Sequence, residues 1–425
     1  MKNFLKIIRN TPLTITYNFD NVIETVLKTE KGMKDENYGY ETVTDIRVLP
    51  RRIRAVIYHP NGYIPWNKME EKDPEIVLSE QEFANRMVEL ATGQYNSILH
   101  VFSRNTCLFI GLSLKDSILK NFLKQSAMIA PGNYHYYVYH CGGGKTLSAE
   151  EQEAIRNTNF ETYNLITLFL NDEEIASIGK LISDGYEVTT RSLNDKDIIS
   201  LADRIDGKDL AFYFYIVGAV GAGKSTCVSQ FRNLLTSDEW FEERKPQLAI
   251  EWSEIEKMSE KEKNEIKEEI DKWICEQFYD KNRDLVNKNI GISMCDRCPL
   301  DPIAFTPKGE RRKKAERLLK AISPGTDRVV KGHVIILWNS PEQLEIRAKR
   351  KHKKYTKESL ESMQIDLREI YNMPGVTIID CRFISFYDII KSVARTIHIN
   401  NYAPAEIHSR LVGIKDGVLD HDQKT

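Results

Sequence analysis

The stretch that decides the fold of the second half of the chain is "FYFYIVGAVGAGKSTCV", residues Phe212 to Val228. From Gly218 to Ser225 it fits the pattern G-x-x-x-x-G-K-[ST] at each fixed position. An apolar run precedes the pattern, and "STCVSQFRNLL" has helical periodicity after it. Glycines let a backbone wrap around phosphate oxygens, and the N–H groups of such a loop favour negative charge. The stretch therefore predicts a phosphate-binding loop between a buried strand and a helix.

The predicted nucleotide-binding residues are Gly218, Gly221, Gly223, Lys224, Ser225 and Thr226. In this pattern the lysine reaches the β- and γ-phosphates, and the following hydroxyl binds Mg²⁺. We therefore expect ATP and Mg²⁺ as cofactors, with Ser225 as a magnesium ligand. A phosphate loop alone does not distinguish a kinase from an ATPase or a GTPase.

Apolar runs in the second half predict a parallel sheet. The predicted strands are "AFYFYIV", "PQLAIEW", "NIGISMC", "HVIILW" and "VTIID". Helical patterns separate them, the longest running from Ser259 to about Asp284. Because strands that alternate with helices form doubly wound α/β domains, we expect this architecture for the second half.

Two of the predicted strands end at carboxylates. Asp296-Arg297 follows "NIGISMC", and the carboxyl end of a parallel strand lies at the ligand-binding edge of the sheet. There Asp296 would accept a hydroxyl proton or hold Mg²⁺ through water, and Arg297 would pair with substrate or phosphate. The alternative is a surface turn with an ion pair. Glu251-Trp252 ends "PQLAIEW" and is a second candidate for a carboxylate near the loop.

A basic segment follows the fourth predicted strand. Arg347, Arg350, Lys351 and Lys354 gather positive charge at helical spacing in "PEQLEIRAKRKHKKYTKESL". Such a segment would close over a triphosphate and stabilise charge on the transferring group, or it would form a solvated basic face.

The order of loop, "DRCPLDPIAFTP" and basic segment resembles thymidylate kinases and deoxynucleoside kinases, over roughly residues 205–400. The resemblance implies that Asp296-Arg297 touches the phosphoryl acceptor and that arginines such as Arg347 and Arg350 contact the donor. The sequence has no guanine-selecting N-K-x-D motif, which weakens the GTPase interpretation. Phosphoryl transfer to a nucleoside or a nucleoside monophosphate is the leading hypothesis, and a non-catalytic nucleotide sensor is an alternative.

The first half also alternates strands with helices. Predicted strands in it end near Asn18 and Asp20, near His59, and before the turn that holds Gly111 and Ser113. In a parallel sheet these carboxyl ends share one edge, where an amide, a carboxylate and an imidazole would orient a ribose and move a proton. Taken singly, the same residues fit turn, helix-cap and strand-end positions.

The order of these pieces resembles the SIR2-like (sirtuin-related) domains of bacterial defence proteins, over about residues 10–185. Thr16 to Asp20 matches their T-x-N-[YF]-D, His59 their catalytic histidine, and "LFIGLSLKDSIL" their nucleotide-site turn. The resemblance implies NAD binding and cleavage of the nicotinamide–ribose bond. It suggests an anti-phage effector whose NAD hydrolysis is controlled by nucleotide binding in the second half.

Two features depart from that family. Only about a dozen residues precede "TITYNFDN", so we expect this half to lack the glycine-rich first unit that holds the NAD pyrophosphate. The pair Cys295 and Cys298 stands alone, so the paired zinc knuckle of deacetylating sirtuins is absent and deacetylation is not expected.

Length, net charge and cysteine content indicate the protein's location and partners. The chain has 425 residues, a net charge of −2, seven scattered cysteines and no run of about 18–20 apolar residues. We expect a cytoplasmic protein with small nucleotides as partners, no membrane or nucleic-acid partner, and a homo-oligomer formed through the first half. The basic run Arg311 to Arg317 is interpreted as a solvated helix face, with a contact to phosphate or nucleic acid as the alternative. The predicted fold class is α/β: an incomplete Rossmann-like SIR2 domain over 1–190, a P-loop kinase-like domain over 198–405 and a tail over 406–425.

Overall fold

The chain divides into two compact units, Met1–Gly207 and Lys208–Thr425, and each is described by itself. The structure is a computed structural model. It describes residues 2–29, 40–44, 55–64, 76, 96–142, 147–190, 211–241, 252–255, 257–288, 290–322, 329–350 and 354–418.

The first unit is a mixed α/β structure with two parallel sheets. Its described helices are α1 (Lys2–Asn10), α2 (Val22–Thr29), α3 (Asn96–Arg104), α4 (Ser117–Ile129), α5 (Ala149–Tyr163) and α6 (Asp172–Thr190). Its described strands are β1 (Leu13–Ile15), β2 (Tyr40–Val43), β3 (Ala55–Tyr58), β4 (Leu108–Phe109), β5 (His135–His140) and β6 (Leu165–Leu170). They pair in the orders β1-β3-β2 and β4-β5-β6, with every pair parallel.

One hydrophobic cluster contains residues from both of these sheets. Tyr58 of β3, Phe109 of β4, Tyr137 of β5 and Leu165 of β6 are buried in it, and Leu13 of β1 packs against it. Burying side chains of this size is the main favourable term in folding, at roughly 1.5–3 kcal/mol each. The cluster therefore holds the two sheets together in one folded unit.

The second unit is built on a single parallel sheet. Its described helices are α7 (Lys224–Val228), α8 (Trp252–Ile255), α9 (Glu260–Val286), α10 (Asp301–Ala304), α11 (Arg311–Ile322), α12 (Pro341–Arg350), α13 (Lys357–Ile370), α14 (Phe386–His398) and α15 (Ile407–Asp416). Its described strands are β7 (Ala211–Val217), β8 (Leu235–Ser237), β9 (Gly291–Asp296), β10 (His333–Trp338) and β11 (Val376–Asp380). They pair in the order β11-β10-β7-β9-β8, and all pairs are parallel.

The central strands of this sheet are buried on both faces. Residues 214–217 of β7 and 333–337 of β10 are all buried. Near-continuous apolar runs are typical of parallel strands covered by helices on both sides. The strands predicted from "AFYFYIV", "NIGISMC", "HVIILW" and "VTIID" are confirmed as β7, β9, β10 and β11.

The segment after the phosphate loop differs from the sequence-based expectation. The helix predicted for "STCVSQFRNLL" ends at Val228, and β8 begins at Leu235. This short strand pairs with β9 from Leu235 opposite Ser293 to Ser237 opposite Cys295. The strand predicted from "PQLAIEW" lies outside the described residues, except that Trp252 begins the helix α8.

The last predicted segment also differs from the structure. The segment expected as a tail from residue 406 contains α15, whose Ile407 and Leu411 are fully buried. Apolar residues at positions i and i+4 place one face of that helix in the core. No helix in the described part of the chain is long and apolar enough to cross a membrane.

Candidate functional site

The predicted phosphate loop joins β7 to α7 at the carboxyl end of the central strand. Gly221 has a φ of +84°, a backbone conformation that favours glycine. A Cβ built on it would lie 2.8 Å from the carbonyl oxygen of Leu344 in α12. Because that neighbour is backbone, the loop and α12 approach this closely only without a side chain at position 221.

The side chain of Lys224 folds back onto the phosphate loop. Its Nζ donates to the carbonyl oxygens of Gly218, at 2.9 Å, and Ala219, at 3.2 Å, and its side chain is buried. Burial, together with the charge of Arg297, lowers the pKa of Lys224 to about 8. The ammonium therefore rests on neutral acceptors, and an anion in the loop would be a stronger partner.

Asp296 ends β9, the strand that pairs with β7. Its side chain is fully buried, and neither carboxylate oxygen has a hydrogen-bond partner. Burial raises its pKa, while the Ser225 hydroxyl and the Lys224 ammonium act in the opposite direction. A buried carboxylate without partners is unfavourable. The sequence predicted a carboxylate beside the loop, and Asp296 lies there.

Arg297 is held on several sides. Its φ is +75°, an uncommon conformation for a residue with a side chain, and its N–H donates to the carbonyl of Ile216 at 3.0 Å. Its Nε and one terminal nitrogen lie 2.6 Å from Oε1 of Glu239. Its guanidinium carbon lies 5.5 Å from the centre of the Trp240 ring and 5.8 Å from that of Phe305. Arg297 is therefore fixed as part of the fold.

Glu239 is the carboxylate that the sequence analysis missed. It lies two residues after β8, at the same edge of the sheet as Asp296. Glu251, the residue predicted for this role, lies outside the described residues. The signal that could have found Glu239 is "TSDEWF", a carboxylate and a tryptophan right after a short β-compatible run.

A second buried carboxylate lies behind Arg297. Asp301 is 1% exposed, and its Oδ2 lies 3.7 Å from a terminal nitrogen of Arg297. The hydroxyl of Tyr371 donates to its Oδ1 at 2.6 Å. Burial raises the pKa of Asp301 to about 6, and the Arg297 charge opposes that rise. Asp301 thus links Arg297 to Tyr371, the residue that follows α13.

The basic segment is placed only partly as predicted. Arg347 of α12 lies against the loop, with its Cβ 3.4 Å from the Cβ position of Gly221. Arg350 is exposed one turn further along α12. Lys351 lies outside the described residues, and Lys354 is exposed. Arg347 is therefore the arginine of this segment that lies beside the phosphate loop.

The other basic run is largely neutralised by acidic neighbours. Arg311 is buried, with ion pairs to Asp366 at 2.7 Å and Glu369 at 3.2 Å. Lys314 and Arg317 pair with carboxylates of α9, Lys314 with Asp271 at 2.6 Å. Arg311 and Lys314 are buried and differ from the expected solvated face, whereas Arg317 is partly exposed and Arg312 and Lys313 are exposed, as that expectation has it.

In the first unit, His59 follows β3 and is buried. Its Nδ1 lies 2.8 Å from the backbone carbonyl of Asn18, which can only accept, so Nδ1 carries a proton. Its Nε2 lies 2.8 Å from Oε1 of Glu24, and both side chains are at most 2% exposed. The pair is therefore an imidazolium with a glutamate, or a neutral imidazole with a glutamic acid. Both ring nitrogens already have partners.

The amide and carboxylate expected beside His59 are placed differently. Asn18 contacts the His59 ring only through its backbone carbonyl, and Asn18 is exposed. Asp20 is exposed, and its Oδ1 accepts from the N–H of Val22 at 3.1 Å, as a residue at a helix start does. Glu24 takes the carboxylate position instead. The sequence signal for Glu24 is its position three residues before the buried Leu27, which places both on one face of a helix.

The predicted nucleotide-site turn is open. Gly111 has a φ of +70°, and a Cβ built there would meet nothing within 4 Å. Ser113 is exposed. Both residues follow the carboxyl end of β4, so this edge of the sheet is accessible to a ligand. Among the described residues, no group of three or more His, Cys, Asp or Glu side chains is arranged to hold a metal ion.

Comparison with known proteins finds a family model that matches part of the first unit. A family model described as "SIR2-like domain" matches residues 12–167. Among solved structures, the chain is similar to a NadR protein in complex with NR, at 14% sequence identity and a TM-score of 0.31, covering 70% of this chain and 97% of that chain. No curated protein matches the sequence.

Proposed function

We propose that the second unit binds Mg·ATP and transfers its γ-phosphoryl group to a nucleoside or nucleoside monophosphate. The first unit is then a SIR2-like, NAD-related module fused to this kinase-like unit. The observation that carries the proposal is the fully buried carboxylate of Asp296, whose two oxygens lack partners at the strand end beside the glycine loop. A buried group of this kind is stabilised by a ligand that provides the missing partner.

The residues present fit Mg·ATP. Carboxylate and hydroxyl oxygens are the ligands that Mg²⁺ prefers, and Asp296 and Ser225 offer both within one small region. Bound Mg·ATP would supply the phosphoryl group that is transferred. Lys224 would leave the loop carbonyls for the phosphates, and Arg347 is near enough to the loop to add positive charge. Asp296 would either hold Mg²⁺ through water or orient the acceptor hydroxyl and accept its proton.

The test is a transfer assay with the full chain. The protein is incubated with Mg·ATP and a panel of nucleosides and their 5′-monophosphates, and ADP and phosphorylated product are measured. We expect at least one product, and a loss of at least about a hundredfold in Lys224→Ala. Glu276→Gln, an exposed substitution on α9, serves as the control. If Lys224→Ala retained the transfer, the assignment of the loop would be wrong.

A second candidate function rests on the SIR2-like match over residues 12–167. In it the protein is a defence effector whose first unit cleaves the nicotinamide–ribose bond of NAD, with nucleotide binding at the loop as the control. Asn18, Gly111 and Ser113 are exposed and would contact NAD, whereas His59 would have to exchange Glu24 or Asn18 for substrate before acting. A third candidate is a non-catalytic sensor, which would bind ATP without releasing ADP.

NAD consumption distinguishes these candidates. NAD is incubated with the full chain, with and without Mg·ATP, and free nicotinamide is measured. The effector hypothesis expects nicotinamide release that changes with Mg·ATP and that falls strongly in His59→Ala. If His59→Ala released nicotinamide as fast as the wild type, the assignment of His59 would be wrong. ATP-dependent thermal stabilisation without ADP release would favour the sensor.

A further inference from the structure

The Nε edge of Arg297, the arginine at the acceptor side of the second unit, is occupied by a carboxylate of the protein. Nε and one terminal nitrogen of Arg297 contact Glu239 at 2.6 Å, and the other terminal nitrogen faces Asp301 at 3.7 Å. A guanidinium recognises a phosphate best through two parallel N–H groups. Here the Nε edge that would make such a pair is already bound to a carboxylate of the protein.

The ring environment keeps Arg297 in this position. Trp240 and Phe305 lie within 6 Å of the guanidinium carbon, and cation–π attraction favours that arrangement. Trp240 packs in turn on Trp273 at 4.8 Å between ring centres. A swing of Arg297 toward a substrate phosphate would separate it from Glu239 and from these rings together.

The charges around Arg297 also disfavour a second anion. Three carboxylates meet here, Glu239, Asp296 and Asp301. The nearby cations are Arg297 itself, Lys224 and Lys281, whose Nζ donates to the backbone carbonyl of Asp296 at 2.7 Å. With Lys224 at the donor phosphates and Asp296 at Mg²⁺, the acceptor side has two carboxylates, Glu239 and Asp301. They match the charges of Arg297 and Lys281, so no excess positive charge is left for a phosphate. A phosphate monoester would add up to two further negative charges in a poorly solvated place.

We infer that the acceptor of this site is an uncharged hydroxyl of nucleoside type, not a 5′-monophosphate, and that Glu239 determines this specificity by occupying Arg297. The inference rests on the proposed function and narrows it. Specificity of this kind comes from a contact that makes the wrong substrate unfavourable, as well as from attraction to the right one. Glu239 fulfils that role because it neutralises Arg297, the arginine that would otherwise pair with a monophosphate.

The test compares matched acceptor pairs, thymidine with dTMP, cytidine with CMP and adenosine with AMP, in the wild type and in Glu239→Gln. The amide has the shape of the carboxylate without its charge, so it binds the guanidinium less strongly. We expect the wild type to use at least one nucleoside and to prefer it to its monophosphate by at least about tenfold in kcat/KM. In Glu239→Gln the ratio shifts toward the monophosphate by at least about tenfold, mainly through a lower KM for the monophosphate. Glu276→Gln leaves the ratio unchanged.

The outcomes separate the inference from the proposed function. Transfer to a monophosphate at a kcat/KM equal to or above that of its nucleoside would overturn the inference and leave the proposed function intact. Transfer to neither acceptor of any pair would overturn the proposed function itself. The wild-type ratio decides between these outcomes even if Glu239→Gln does not fold. If Glu239→Gln folds with an unchanged ratio, Glu239 is not the specificity-determining residue.

Discussion

Replacing Asp296 with asparagine is expected to stabilise the ligand-free protein and to abolish its activity. The carboxylate is fully buried, neither oxygen has a hydrogen-bond partner, and burial raises its pKa. A buried polar group without a partner is unfavourable by about 1–3 kcal/mol, and more when it is charged. Asparagine keeps the shape and removes the charge, so we expect Asp296→Asn to gain about 1–2 kcal/mol at pH 7. For a unit of this size that is roughly 2–8 °C in Tm.

The sign of the effect follows from the direction of the pKa shift. Because the folded-state pKa of Asp296 is raised above the unfolded value of 3.8, the folded protein holds this proton more tightly. Wild-type stability therefore falls as pH rises from the unfolded pKa through the folded one. The advantage of Asp296→Asn is complete above the folded pKa and disappears below the unfolded pKa.

The assay is thermal unfolding at several pH values, with and without Mg·ATP, beside the transfer assay. Asp380→Asn is the matched control, since Asp380 also ends a strand of this sheet but is exposed and bound to Arg382, which lowers its pKa to about 2. We expect that control to lose at most about 0.5 kcal/mol. Mg·ATP should raise the Tm of the wild type more than that of Asp296→Asn. A loss of more than about 1 kcal/mol in Asp296→Asn would refute the reasoning, because the carboxylate would then have stabilising partners.

Two further predictions concern the loop. Gly221→Ala combines an unfavourable positive φ with a Cβ 2.8 Å from the carbonyl oxygen of Leu344, so we expect about 3 kcal/mol lower stability by urea unfolding and weaker ATP binding. Gly413→Ala, in a helix with open space around the added Cβ, should instead gain about 0.5–1 kcal/mol, and equal effects would contradict the reasoning. Because the pKa of Lys224 is lowered to about 8, its charged fraction falls above that pH. The Kd for ATP measured by calorimetry should therefore rise above pH 8, by up to about tenfold per pH unit, and Lys224→Ala should lack this dependence.

The parts of the fold that could be predicted from sequence are those with strong local signals. β7, β9, β10 and β11 are apolar runs of five to seven residues, and the loop has glycines at fixed spacing. The long helix α9 begins as predicted, because Ser259 and Glu262 form a capping box. In each case the residues that specify the element lie within it or next to it.

The missed parts depend on contacts between distant residues. β8 has three residues, Leu235 is 45% exposed, and only its pairing with β9 makes it a strand. Glu239 acquires its role from an arginine 58 positions later, and Glu24 from a histidine 35 positions later. A one-dimensional pattern identifies such carboxylates as acidic residues but does not show which cation they neutralise.

The arrangement of charges in the second unit favours transfer over sensing. A sensor needs the glycine loop and Lys224, which together recognise phosphate. It does not need a buried carboxylate without partners at the next strand, nor an arginine held there by two further carboxylates. In the ligand-free protein, the Lys224 ammonium donates to neutral carbonyls and the carboxylate oxygens of Asp296 have no hydrogen-bond partner. One Mg·nucleotide would satisfy both groups at once, with its phosphates at Lys224 and its metal at Asp296. The fixed Arg297 would then border the space on the acceptor side and would contribute to the choice of an acceptor, a role that a protein that only binds ATP does not need.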